Sequence, residues 1–213
     1  YYAMNRDLNL KYAKKNKLGV LLNRPFNAMF RNRLQRLAPF PAHDSVETKG
    51  QLHQHLGRAV ELEKRFPGGT PPQGLFWGHI LRDKLDQIDD VLNWREALFT
   101  QIYPTINWAL QKLESDKFQW AEDYKNQIIG LLNSITRDLE GLANERAQVL
   151  AHQLDELEPL LKTSTTLSQK AIRIYRSFTG VHSVLIGMRK PSYIDDCLKL
   201  EDPIRPEKAF EIL

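Results

Sequence analysis

A single cysteine, Cys197, stands among the 213 residues, so no internal disulfide framework can form. That scarcity fits a reducing compartment. Long apolar runs are absent too. None approaches the ~20 residues that a helix needs to cross a bilayer, so no membrane span is expected. The chain opens Tyr1-Tyr2-Ala3, without an apolar signal core or an initiator Met, which reads as a processed or truncated chain. No Walker-type phosphate loop occurs. Metal-ligand spacing is missing as well: His53 and His55 are two apart on a predicted helix and face different ways. His43, His79, His152 and His182 have no Cys or acidic neighbour at ligand spacing, so the expected metal set is empty.

What is present is unevenly charged. The formal net charge is +4. Residues 1–40 hold nine Lys or Arg (Arg6, Lys11, Lys14, Lys15, Lys17, Arg24, Arg31, Arg33, Arg36) against Asp7 alone, a balance of +8, which leaves −4 on the remainder. With Tyr1, Tyr2, Tyr12, Phe26 and Phe30 interleaved, this end could meet an RNA backbone. The plainer reading is a solvated helix face followed by a loop.

Along the chain, residues 3–17 have helical character with a stop at Gly19. Val20 to Leu22 reads as a short buried strand, and residues 23–44 as irregular, punctuated by Pro25, Pro39 and Pro41. A helix is predicted from an N-cap at Ser45 to Phe66, and residues 67–74 form the clearest linker. From 75 to 161 the pattern is almost continuously helical. Trp77, Ile80, Leu81, Leu85, Ile88, Val91, Leu92 and Leu98 make one apolar stripe, and Ile128, Leu132, Ile135, Leu139 and Leu142 begin another. Pro104 should kink the first arm, and a turn is expected at Ser115-Asp116. Two such arms predict a long antiparallel hairpin. Glu61, Glu63, Asp83, Asp86, Asp89 and Asp90 read as a solvated helix face, and the four Trp as core or contact surface.

The most specific segment runs from Gly180 to Leu198. An apolar run, Val184 to Ile186, stops at Gly187. Then come Met188 and the basic pair Arg189 and Lys190, and a helix start follows at Pro191. Backbone N–H groups and a helix dipole aimed at one point make an anion site. This wording resembles the last strand, loop and helix of the aldo-keto reductases. Residues 13–28, with Asn23-Arg24-Pro25-Phe26, resemble that family's helix six leading into strand seven. Residues 167–178 resemble the helix before its last strand.

The resemblance implies the C-terminal portion of a (β/α)8 barrel, so the expected fold is mainly α with a small α/β remnant that carries the hairpin. The expected parts are 1–74, 75–161 and 162–213. It also implies an NADP site: the adenosine phosphate on Arg189 and Lys190 beside Gly187 and Met188, the pyrophosphate near Asn23, Arg24 and Pro25, and Asp196 near the adenine. Cys197 stands where the family usually has an Asn that contacts adenine. The Asp, Tyr, Lys and His of the family's catalytic tetrad belong to strands these matches do not include, so no catalytic residue is expected. Two functions follow. One is a non-catalytic subunit of a larger assembly, with protein or RNA partners and a mitochondrial setting. The other is the cofactor-binding part of an NADP-dependent reductase.

Overall fold

The structure is a computed structural model that describes residues 2–30, 33–113, 118–188 and 191–212. It is mainly helical. In chain order come α1 (Tyr2–Lys15), β1 (Leu21–Leu22), β2 (Asn27–Phe30), β3 (Arg33–Arg36), α2 (Ser45–Lys64), α3 (Trp77–Lys84) and α4 (Val91–Ala97). Then follow α5 (Tyr103–Gln111), α6 (Phe118–Leu157), α7 (Leu167–Arg176), β4 (Ser183–Val184), α8 (Pro191–Leu198) and α9 (Pro206–Ile212). Two compact units divide the chain: Tyr1–Pro39 with Asn144–Leu213, and Phe40–Ala143.

In the first unit, α1 does not end on Gly19. The Leu18 N–H bonds the Ala13 carbonyl at 2.9 Å and the Lys17 N–H bonds that of Lys14 at 3.2 Å. Lys17 takes φ 53°. This is the paired-bond stop of a helix C-terminus, with Lys in the left-handed place that Gly usually takes. β1 then pairs in parallel with β4, in the register Leu21↔Ser183 and Leu22↔Val184. They fall on the strand read at Val20 to Leu22 and at the start of the apolar run Val184 to Ile186. Two further strands were not expected. β2 and β3 form an antiparallel pair, Asn27↔Arg36 and Ala28↔Gln35, inside the stretch read as irregular.

α7 is the core helix of this unit, and residues 167–174 are buried on every side. Leu167, Ala171 and Ile174 join Leu161, Phe178 and Ile204 in one cluster. Two of its buried residues are charged, and each is fully engaged, as burial of charge requires. Lys170 Nζ donates to Asp155 Oδ1 at 2.5 Å and to the Leu161 carbonyl at 2.7 Å. The Arg173 guanidinium donates to the carbonyls of Asp202 and Leu160 and to the hydroxyls of Thr163 and Ser164, all at 2.8–2.9 Å.

The second unit is built on Tyr124, Ile128, Leu131, Leu132 and Ile135 of α6, which are at most 1% exposed. The first arm is not one helix. Asp90, expected on a solvated face, caps α4 instead: its Oδ1 accepts the N–H of Leu92 at 2.8 Å and of Asn93 at 2.9 Å. Asp44 caps α2 in the same way, one residue before the expected Ser45. Pro104 distorts the arm as expected, and the five residues Leu98–Ile102 before it form a π turn. The expected turn at Ser115-Asp116 lies outside the described residues. Trp94 and Trp120 are core, and their indole N–H groups reach Thr136 Oγ1 and the Leu62 carbonyl, each at 2.9 Å.

Glu63, read from sequence as surface, is 1% exposed and ties α2, α3 and α6 together. Its carboxylate accepts the backbone N–H of Gly78 at 2.5 Å and of His79 at 3.0 Å, at the N-terminus of α3, where negative charge is stabilised. The Tyr124 hydroxyl donates to it at 3.0 Å, and His79 Nδ1 makes a very short contact. Burial, then the Glu63 charge, pushes the Tyr124 phenol far above its ordinary value, so it remains a donor. This close approach needs Gly78, where a Cβ would lie 2.9 Å from Val60 N and 3.0 Å from Ala59 C. Gly57, inside α2, has nothing within 4 Å of its own added Cβ. Urea unfolding should separate the two glycines. Gly78→Ala should lose about 1–3 kcal/mol to overpacking against backbone, whereas Gly57→Ala should gain up to about 1 kcal/mol from helix propensity.

Candidate functional site

Parallel pairing brings two loops from opposite ends of the sequence to the same end of one small sheet. The carboxyl end of β1 runs into Asn23, Arg24 and Pro25, and that of β4 runs through Leu185 and Ile186 into Gly187 and Met188. In open parallel sheets this is the end at which ligands bind. Hydrogen bonds hold the pair. The N–H of Leu185 bonds the Leu22 carbonyl at 2.7 Å, and that of His182 bonds the Val20 carbonyl at 2.9 Å. The Val20 N–H returns to His182 Nδ1 at 3.0 Å.

The β1 loop is tightly turned. Asn23 Oδ1 accepts the Arg24 N–H at 2.9 Å, and the Arg24 carbonyl accepts the Asn27 N–H at 3.3 Å, which starts β2. Arg24 takes φ 57°, a left-handed conformation that costs a non-glycine residue about 1–2 kcal/mol. Asn23 and Arg24 are exposed and Pro25 is buried, so the loop presents an amide and a guanidinium above a fixed proline.

The β4 loop is open. A Cβ added at Gly187 meets nothing within 4 Å, so packing does not demand glycine there, and Met188 is 57% exposed. Arg189 and Lys190, the expected phosphate contacts, lie outside the described residues. α8 begins directly after them.

Asp196 is engaged in another role than the expected one. Its Oδ1 accepts the Thr166 hydroxyl at 2.8 Å, its other oxygen makes a very short contact with the Ser168 hydroxyl, and its carbonyl accepts Gln169 Nε2 at 3.1 Å. Thr166 is the N-cap of α7, so Asp196 fastens α8 to the start of the core helix. Burial, then the adjacent Asp196 charge, raises the Cys197 thiol, which makes it a poor nucleophile. Two participants were not legible as such. Arg36 donates to the Tyr193 hydroxyl at 2.5 Å and joins β3 to α8, although its sequence context was a basic run. His182 pins β1 through a backbone bond that no spacing rule signals.

No family model, curated protein or solved structure matches this chain.

The hydrogen bonds of Asp196 define a prediction. Asp196→Ala leaves the hydroxyls of Thr166 and Ser168 without their acceptor and should cost about 1–3 kcal/mol of stability. The loss should appear in chemical denaturation with no nucleotide present. An unchanged midpoint would instead leave Asp196 free for a ligand.

Proposed function

We propose that this chain is an aldo-keto-reductase-like polypeptide that performs no carbonyl reduction of its own and serves as an interaction subunit of a larger assembly. The observation that carries this reading is a parallel pair of two-residue strands that no third strand joins among the described residues. Parallel sheets are built from several strands and covered on both faces. A two-stranded ribbon alone is marginal. Here Leu21 of β1 is 61% exposed and Leu185, just after β4, 46%, so apolar side chains stand uncovered on faces that a parallel sheet normally buries. Unpaired edges of this kind recruit other chains.

Hydride reduction of a carbonyl needs a placed acid for the developing alkoxide. The residues that resemble the family are those of its cofactor loops, not of its tetrad. In this reading the helical arms of residues 75–161, expected as a hairpin, supply the contact area. The basic first forty residues steer the chain towards an acidic protein or RNA. A mitochondrial setting belongs to the same proposal.

A second reading is favoured by one observation, the adjacency of the two loops beside the start of α8. On it, the chain is the cofactor-binding part of an NADP-dependent reductase, with phosphate held by Arg189 and Lys190 and pyrophosphate by Asn23 and Pro25. The two readings separate in one pair of measurements on the purified chain. The first predicts no turnover of a simple aldehyde with NADPH and a native mass above that of the single polypeptide when isolated with its partners. The second predicts micromolar NADPH binding that Arg189→Ala abolishes. Robust turnover by this polypeptide alone would overturn the first.

A further inference from the structure

The π turn ahead of Pro104 creates a feature of the second unit that is independent of the reductase resemblance. Proline has no N–H, so Pro104 cannot donate to the Thr100 carbonyl as a helical residue would. The π turn displaces the preceding bond as well, because the Tyr103 N–H goes to the Leu98 carbonyl and not to that of Phe99. The carbonyls of Phe99 and Thr100 thereby lose their regular donors, and both residues are exposed. Unpaired helix carbonyls carry partial negative charge.

Three side chains surround them. Glu96 lies three and four residues earlier, on the same face of the helix, and its carbonyl accepts the Thr100 hydroxyl at 2.8 Å. Among the described residues no cation pairs with the Glu96 carboxylate. Phe99 is 72% exposed, with its ring centroid 6.0 Å from that of Tyr103. The other open aromatic of this arm, Trp108, already carries a cation, with Lys112 Nζ 3.7 Å from its ring centroid. Phe99 has none among the described residues.

We propose that the face made by Glu96, Phe99, Thr100 and Tyr103 binds an arginine side chain presented by a partner protein. The complementarity is in charge and shape. A guanidinium stacks on an aromatic ring and pairs with a carboxylate or a free helix carbonyl through its N–H donors. An anionic partner would meet like charge there.

The test uses the whole chain, labelled with nitrogen-15, titrated with capped tetra-arginine and, in parallel, with capped tetra-glutamate. Amide shifts should move around residues 96–103 with the arginine peptide and stay fixed with the glutamate one. Phe99→Ala should weaken the interaction about two- to fivefold, the scale of an exposed cation–π contact, and Glu96→Gln should weaken it also. Pro104→Ala removes no charge but returns an N–H to the Thr100 carbonyl, so it too should weaken binding, with helix content checked by circular dichroism. Shifts that ignore Phe99→Ala and Pro104→Ala would overturn the proposal. So would self-association abolished by Phe99→Ala without any response to arginine, which would give the face to a second copy of this chain.

Discussion

The backbone hydrogen bonds from His182, Ser183 and Leu185 to the carbonyls of Val20 and Leu22 close a separation of some 160 residues, and the meaning of the first unit's loops depends on them. Because the pairing is parallel, Asn23 and Gly187 leave the same end of the sheet. An antiparallel pairing of the same residues would have sent them to opposite ends. Local propensity contributes little, since two strands of two residues cannot sustain themselves. The joint is held from outside the ladder, by the His182 ring on Val20 and by the buried α7 whose end feeds β4. The same economy explains Asp196: a carboxylate that ties α8 to the cap of α7 fixes where the β4 loop must return.

Both units solve one further problem in the same way. Each buries charge and answers it with backbone donors or acceptors at helix starts, turns and loops. Glu63 meets the opening N–H groups of α3. Lys170 and Arg173 meet the carbonyls of Leu160 and Leu161 in the turn after α6, and Arg173 also that of Asp202. Removing one member would strand its partners in a dry setting, which costs more than the pair contributes when intact. These three residues therefore fix how the helices meet, while the apolar stripes fix only that they do.

Much of this was legible in the sequence for identifiable reasons. A polar N-cap before helix formers marked α2, the stripe that begins at Ile128 marked α6, and Pro104 marked the distortion before α5. The apolar runs Val20 to Leu22 and Val184 to Ile186 made the sites of β1 and β4 legible. Other features were hidden by their composition. β3 carries Arg33 and Arg36, Arg31 precedes it, and the pair lies between Pro25 and Pro39, so the stretch reads as a basic loop. Asp90 sits in a run of acids whose spacing also suits a solvated helix face, which masked its cap. Glu63 carries the same ambiguity, because only the fold brings Gly78 and Tyr124 to it. Asp196 was legible as part of the last loop and helix, but its partners on α7 lie nearly thirty residues away.

The central claim, that residues 20–22 and 182–185 form a parallel joint presenting two loops at one end, is most directly tested by amide hydrogen exchange with cross-strand proton contacts by NMR. The account predicts slowed exchange at the N–H groups of His182 and Leu185, with contacts linking Leu21 to Ser183 and Leu22 to Val184. Fast exchange at both amides, or contacts in an antiparallel pattern, would contradict it.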